Sequence, residues 1–247
     1  MQEHHELWLT ALFNQYLAGP ANAALALVGV HPHDPAKPWS NFMTMQILVA
    51  VIIMIVFAFL RPRLSMDRPG KLQHIFEEVY GFLHNQADEA VGHHGVKWVA
   101  FFGTLFIFIL FANLIGVIPS FESPTMFPAV PAGCAIAAFL YYNYLGMKEN
   151  GVGKYLAHFV GPMPLLAPLM IPIEIISHLA RPLSLTIRLY ANMYAGEQVT
   201  LAFLGLTYLV FPAIFMGLHV FVSFLQAFVF TLLTMIYVGG ATAHEEH

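Results

Sequence analysis

One arginine inside a long apolar segment constrains this chain more than any other feature of its sequence. Arg188 lies within residues 171–196, IPIEIISHLARPLSLTIRLYANMYAG, and the sequence on both sides is almost wholly apolar. A guanidinium group stays protonated in proteins, and placing it at the centre of a membrane helix costs a few kcal/mol on insertion scales. We therefore predict that Arg188 is functional and that another group compensates its charge.

No acidic residue of this segment is placed to pair directly with Arg188. On a continuous helix, Glu174 would lie about 21 Å before it and Glu197 about 13 Å after it, at 1.5 Å per residue. At about 100° per residue, the polar side chains of the segment share one arc of roughly 120°. This polar stripe contains Glu174, Ser177, His178, Arg181, Ser184, Arg188 and Asn192. We expect the partner of Arg188 to be a carboxylate of another chain.

The composition favours a polytopic membrane protein over a soluble domain. Of the 247 residues, 58% are hydrophobic and only 10% are charged, and the mean hydropathy is +0.68. No polar stretch is long enough for a soluble domain. The first residues, MQEHHE, carry acids where a signal peptide carries cations, so we expect no cleavable targeting sequence.

The apolar segments predict an all-α fold with about five membrane helices and one amphipathic surface helix. A helix needs about 20 apolar residues to cross the hydrocarbon core. The expected spans are residues 42–60, 98–118, 125–147, 165–195 and 199–239, and the surface helix covers residues 71–91. We expect residues 42–247 to form a single membrane domain and residues 1–41 an extracytoplasmic arm.

The last two spans are expected to form a long, strongly tilted hairpin with a short break near Gly196. Residues 199–243 contain no Asp, Glu, Lys or Arg, and one helix over residues 199–239 would be about 60 Å long. The hydrocarbon core is only about 30 Å thick. Two short spans remain an alternative, but no polar turn interrupts the run. This helix has its own stripe within roughly 80° of arc, formed by His219, Ser223, Gln226, Thr234 and Tyr237.

The distribution of basic residues predicts the orientation of the chain. Lys and Arg number five in residues 61–97, none in residues 119–124 and two in residues 148–154. Because cytoplasmic loops carry an excess of Lys and Arg, we expect the N-terminus outside and the C-terminus in the cytoplasm.

Few residues are arranged for metal binding or covalent catalysis. The pairs His4–His5 and His31/His33 lack a third ligand at helical spacing, and the single cysteine, Cys134, lies in an apolar segment. Hydrolase patterns such as G-x-S-x-G and H-E-x-x-H do not occur in the sequence. We expect no cofactor, no metal and no nucleic-acid partner.

The sequence resembles subunit a of F-type rotary ATP synthases. PLSLTIRLYANMYAGE, residues 182–197, is similar to the arginine-bearing helix of that family. NLIGVIP at residues 113–119, LQAF with His219 seven residues before Gln226, and the EEH ending add to the match. The resemblance covers the chain from about Asn41 to the C-terminus, whereas the arm carries no matching motif.

This resemblance implies the stationary half of a proton-driven rotary motor, with no catalytic activity of its own. Arg188 would face the carboxylates of a ring of c subunits, supported by Asn192, Gln226, Ser184 and Ser223. Glu197 and His219 would line one aqueous half-channel, and Glu174, Ser177 and His178 the other. The implied partners are the c-subunit ring, the peripheral-stalk b subunits, the rest of the complex, protons and the lipid bilayer, most naturally the bacterial inner membrane.

Two other functions remain alternatives at this point. An ion-coupled secondary transporter should show internal repeats and paired broken helices, and no repeat relates the two halves of the chain. A sodium-translocating version of the same subunit is also open, because the implied ion selectivity belongs mainly to the ring. Individual residues have plainer interpretations too: Arg181 and Glu174 as interfacial groups, Glu197 as a turn residue, His219 as a core histidine, and Gln226 as a helix–helix contact.

Overall fold

All regular secondary structure in the described part of the chain is helical. A computed structural model describes residues 6–27, 34–65, 69–92, 95–118, 121–153, 155, 167–206 and 210–242. Within these ranges no strand occurs, and the predicted all-α fold is confirmed. The helices are α1 (Trp8–Leu27), α2 (Asn41–Leu60), α3 (Lys71–Val91), α4 (Val99–Leu114), α5 (Ala129–Asn150), α6 (Ala167–Leu206) and α7 (Val210–Thr242).

Three described segments are long and apolar enough to cross a membrane by length and composition. They are Asn41–Arg63, Gly95–Val117 and Ile214–Thr242. Helix α6 carries two arginines and two glutamates, and the second half of α5 carries three tyrosines, two asparagines, a lysine and a glutamate, so both helices are less apolar than these segments. The chain is therefore a polytopic membrane protein, and the number of five crossing helices stays a prediction.

Helix α7 is the centre of the helical packing. It contacts α3, α4, α5 and α6, and the core between them contains large side chains such as Phe102, Phe106, Tyr142 and Phe230. Helix α2 lies at the side and packs on α4 through Val49. Most of the remaining apolar surface of α2 is exposed, as expected for a helix that faces lipid.

The break predicted near Gly196 is wrong. Helix α6 continues through this glycine to Leu206, and α7 begins at Val210 rather than at residue 199. The hydroxyl of Thr200 donates to the Gly196 carbonyl oxygen at 2.8 Å, one turn back in a regular helix. The connection between the two helices falls at residues 207–209, outside the described residues. Gly196 does not form a turn but allows α7 to pack closely against α6.

Helix α3 occupies the range predicted for the surface helix. Its buried residues are Gln73, which bonds to the backbone of Ser65, and Leu83 and Ala87, which belong to the core cluster shared with α7. The closest approach lies at Gly239 of α7, where a Cβ atom would overlap the carbonyl oxygen of Ala90. Its position on the cytoplasmic membrane surface stays a prediction.

We expect Gly239→Ala to destabilise the contact between α3 and α7. The added methyl group would meet a backbone oxygen that can move only with its helix, and overpacking of this kind typically costs about 1–3 kcal/mol. The measurement is the thermal unfolding midpoint of the purified chain in detergent. Gly240→Ala is the matched control because no atom lies within 4 Å of its added Cβ. Equal midpoints for the two variants would contradict the prediction.

Candidate functional site

Arg188 lies at the edge of a stripe of α6 that the other described residues leave uncovered. Its side chain is half-buried, and Ser184 and Asn192, one turn before and after it, are exposed. The opposite face of the same turns is buried in the core through Leu185 and Leu189. Among the described residues, no carboxylate lies within 4 Å of the guanidinium group.

Small side chains lie beside Arg188 on the same surface. Ala191 and Ala195 are exposed, and together with Ser184 they form a row of small side chains along one side of α6. Small residues allow membrane helices to approach closely. The uncovered stripe can therefore receive a helix of another subunit at the depth of the guanidinium group. We call Ser184, Arg188, Ala191, Asn192 and Ala195 the open strip.

Arg181 belongs to a different surface, although it lies on the same helix only two turns earlier. Its guanidinium carbon lies 5.2 Å from the centre of the Tyr237 ring on α7. A cation–π contact of this kind contributes about 0.5–2 kcal/mol. Arg181 thus holds α6 to α7, whereas Arg188 faces outward. The structure separates two arginines that the sequence places on one stripe.

His178 lies in a polar cluster between α5 and α6, which we call the inner cluster. Its Nε2 atom lies 2.8 Å from Oδ1 of Asn143 and 3.3 Å from the hydroxyl of Tyr142. The hydroxyl of Tyr155 donates to the same Asn143 oxygen at 2.8 Å. The charges of Arg181 and, more weakly, of Glu174 reach both His178 and Tyr155. A histidine, an acid and two hydroxyl groups can pass a proton between them.

The sequence prediction missed three members of the inner cluster, Tyr142, Asn143 and Tyr155. The available signal was the run YYNY in an otherwise apolar helix. The sequence predicts that Ser177 acts together with His178. In the structure Ser177, the residue directly before His178, is exposed on the neighbouring face of α6. It lies in line with Ser184 and extends the open strip toward Glu174.

His219 lies against Gly196, where α6 and α7 approach closely. A Cβ atom on Gly196 would lie 3.0 Å from Nδ1 of the imidazole, so the missing side chain makes room for the ring. Glu197, the next residue, is half-buried. The structure thus brings the predicted pair Glu197 and His219 to one level of the hairpin.

Two buried polar atoms on α7 lack a hydrogen-bond partner in the described structure. They are Nε2 of His219 and Oγ of Ser223, one helical turn apart. Buried polar groups are normally hydrogen-bonded, and a protein leaves such atoms unpaired mainly where water or a ligand can reach them. These two atoms are suited to bind water beside Glu197.

A buried network connects α4, the following connector and α7 next to Ser223. Asn113 donates from Nδ2 to the Ser223 carbonyl oxygen at 3.2 Å and accepts from Thr125 at 2.6 Å. Ser123 bonds to Thr125 at 2.7 Å and to the carbonyl oxygen of Ala112 at 2.9 Å. We call these residues the Asn113 network. They hold the polar face of α7 in position, and residues 124–126 of the same connector also pack against α6.

The remaining predicted site residues have less specific surroundings. Gln226 is half-buried on α7, and Glu174 is half-buried near the start of α6. Among the described residues, no group of three His, Cys, Asp or Glu side chains could hold a metal ion. The pairs His4–His5 and His31/His33 lie outside the described residues, so the expectation that they bind no metal stays a prediction.

Comparison with known proteins gives one consistent family. The model of the family described as ATP synthase A chain matches residues 43–239. The chain is 71% identical over 234 residues to ATP synthase subunit a of Solibacter usitatus, covering 95% of this chain and 100% of the relative. It is 50% identical to the subunit a of Koribacter versatilis over 97% of this chain and 98% of the relative. For Aquifex aeolicus the identity is 37%, over 81% of this chain and 96% of the relative.

Proposed function

Because this chain belongs to the ATP synthase A chain family, we propose that it is the stationary, proton-translocating subunit of a rotary ATP synthase, with Arg188 as its fixed cation. The observation that carries this proposal is the position of Arg188 on the open strip, with no acid of the described chain within 4 Å. A permanent cation at this depth requires an anion from a partner. The carboxylates of a c-subunit ring supply this anion in turn, as each of them reaches Arg188.

Arg188 acts by favouring the ionised form of the ring carboxylate that faces it. Two unit charges at 4 Å attract by about 4 kcal/mol at an effective dielectric constant of 20. A carboxylate that reaches the open strip therefore gives up its proton. Because a guanidinium group does not release its own proton, Arg188 also prevents direct passage of protons from one side of the membrane to the other.

Glu197 and His219 form the outward half-channel in this proposal. An imidazole can accept and donate a proton, and the unpaired atoms of His219 and Ser223 provide places for water. The Asn113 network fixes the backbone of α7 at Ser223, next to these unpaired atoms. A proton from outside would pass along Glu197, His219 and water to a ring carboxylate next to Arg188.

Glu174, His178 and the inner cluster form the cytoplasmic half-channel. Ser177 and Ser184 lie on the exposed side of α6 between Arg188 and Glu174, so they line the way from the ring to the acid. Neither half-channel crosses the membrane alone, and the ring carries each proton between them. The driving free energy is about 2.3 kcal/mol per charge for each 100 mV of membrane potential.

The finer assignments follow the same proposal. The chain works as part of a membrane complex, binds the c ring along the open strip, contacts the peripheral-stalk b subunits and catalyses no reaction by itself. Asn192 and Gln226 support the guanidinium group beside the ring. The orientation places the N-terminus outside and the C-terminus in the cytoplasm of a bacterial inner membrane. Membership of the family argues against a secondary transporter.

Disulfide cross-linking in the assembled complex tests the open strip. In a Cys134→Ala background, Asn192→Cys is expected to cross-link to a cysteine placed beside the carboxylate of the c subunit, because Asn192 is exposed one turn from Arg188. Met193→Cys is the matched control, since Met193 is fully buried on the adjacent face. Cross-linking by Met193→Cys without cross-linking by Asn192→Cys would place the ring on another surface.

A further inference from the structure

The N-terminal helix α1 is held against the segment that leads into α2. The side chain of Asn14 bonds to both backbone groups of Trp39: it accepts from the amide at 3.0 Å and donates to the carbonyl oxygen at 3.2 Å. The Trp39 indole donates to the Leu17 carbonyl oxygen at 3.2 Å, and its ring packs edge-on against Phe13 at 5.6 Å. These contacts make α1 a docked element with a defined position.

An ion pair outside the membrane reinforces this docking. The ammonium group of Lys37 lies 2.6 Å from Oε2 of Glu6, and Asn14 donates to Oε1 of the same carboxylate at 2.9 Å. The hydrogen bond from Lys37 lowers the pKa of Glu6. Asn22 adds a further bond to the carbonyl oxygen of Pro35 at 2.8 Å. Glu6 and helix α1 are therefore held against residues 34–39 of the same arm by several contacts.

Asn41, the first residue of α2, connects this docked arm to the outward half-channel. Its Oδ1 atom accepts from the backbone amide of Leu7 at 3.3 Å, and its Nδ2 atom donates to Oε2 of Glu122 at 3.3 Å. Asn41 is only 9% exposed, so its amide is held among these partners. Residues 124–126, directly after Glu122, pack against α6, the helix that carries Glu197, and the charge of Glu122 reaches Glu197. A series of contacts thus leads from α1 through Asn41 to Glu122, on the segment that packs against α6.

We propose that helix α1 and Asn41 hold the carboxyl group of Glu122 beside Glu197, so that the N-terminal arm sets how readily protons enter the outward half-channel. The proposal rests on the proton-translocating function above. Asn41 is a positioning residue, because it acts through Glu122. Glu122 is the outermost proton-exchanging group and passes protons to Glu197.

Several titratable groups lie on the elements around Glu122. Among the described residues they include Glu197 on α6, His219 on α7, and Glu6, Asp34 and Lys37 on the arm. The described residues of α1, α2 and α4 contain no Asp, Glu, Lys, Arg or His. A carboxyl group held at the mouth of a half-channel collects protons from the aqueous side and delivers them at short range.

The test uses the complete complex in proteoliposomes and separates proton entry from turnover. Initial rates of ATP synthesis are measured at a fixed potassium diffusion potential, while the proton concentration on the side opposite the catalytic head is varied. Asn41→Leu is expected to raise the half-saturating proton concentration about five-fold, the size expected for one lost hydrogen bond, with an unchanged maximal rate. Asn41→Gln retains an amide and should restore part of the shift.

A matched control and a second variant keep the test decisive. Asn22→Leu removes a hydrogen bond of the same arm that does not lead to Glu122, and it should behave as wild type. Asn14→Leu releases α1 without altering Asn41 or Glu122. It should raise the half-saturating proton concentration, as Asn41→Leu does. If Asn41→Leu fails to assemble, the result for Asn14→Leu decides the question.

An unchanged half-saturating concentration in an assembled Asn41→Leu or Asn14→Leu complex overturns the proposal. So does an equal shift in Asn22→Leu, or a loss of maximal rate alone. Absence of proton-driven synthesis in the wild-type complex would count against the proposed function itself and not against the role of the arm.

Discussion

Arg188→Ala is expected to abolish proton-driven ATP synthesis and ATP-driven proton pumping while the complex still assembles. Removing the guanidinium group removes the only described cation on the open strip and with it an attraction of about 4 kcal/mol for an ionised ring carboxylate. That loss corresponds to about a thousand-fold in rate. The measurements are ATP synthesis after an acid–base transition and ATP-driven acidification of inverted membrane vesicles.

Arg181→Ala is the matched control for this variant. Arg181 packs on Tyr237 inside the chain, so its removal should lower stability and leave most of the coupled transport in place. Complex assembly is followed by the amount of c subunit that co-purifies with the chain. Normal ATP-driven pumping in Arg188→Ala vesicles would contradict the proposed mechanism, whatever the behaviour of Arg181→Ala.

The exchange of Glu197 and His219 is expected to restore part of the activity that each single variant loses. Glu197→His and His219→Glu should each reduce proton-driven synthesis about a hundred-fold or more, the usual contribution of a positioned acid or base. In the double variant one carboxyl group and one imidazole again share the level of Gly196. A double-mutant cycle on the initial rate of ATP synthesis measures the coupling.

The control for the exchange places the same two residue types at separate ends of α6 and α7. Glu174→His combined with His219→Glu should show no recovery, because Glu174 belongs to the surroundings of His178 and not of His219. If the Glu197/His219 exchange recovers no more activity than this control pair, the two residues do not share a half-channel.

Features that depend on a single helix could be predicted from the sequence. Hydrophobic periodicity gave α3 its range of Lys71–Val91. Helical rise placed Glu174 and Glu197 too far from Arg188 to pair with it, and no such pair occurs among the described residues. Both results need only the geometry of one continuous helix.

Features that depend on how helices meet could not be predicted in the same way. The sequence predicts a break at Gly196 because this glycine stands between two long apolar segments and glycine commonly marks turns. Its use becomes visible only when His219 lies against it. Arg181 and Arg188 share one stripe, and only the position of Tyr237 distinguishes them.

The contacts of the two proposed half-channels are also remote in sequence. Asn143 meets His178 from a position 35 residues away, and Asn41 meets Glu122 across 81 residues. Periodicity determines which face of a helix is polar, but it carries no information on which helix will lie opposite. For this reason the sequence predicted Glu174, His178, Glu197 and His219 and missed the groups that other elements bring to them: Asn41, Glu122, Tyr142, Asn143 and Tyr155.

Because α6 continues through Gly196, a change in its length between Arg188 and Glu197 would move these residues relative to each other. Glu174, Arg188 and Glu197 all lie on one uninterrupted helix of 40 residues, so the entry port, the exit port and the charge between them share a common register. Insertion of a single residue between Arg188 and Glu197 would rotate Glu197 by about 100° and displace it by about 1.5 Å. Length changes in this stretch should therefore uncouple the motor, even where each inserted residue is itself a good helix former.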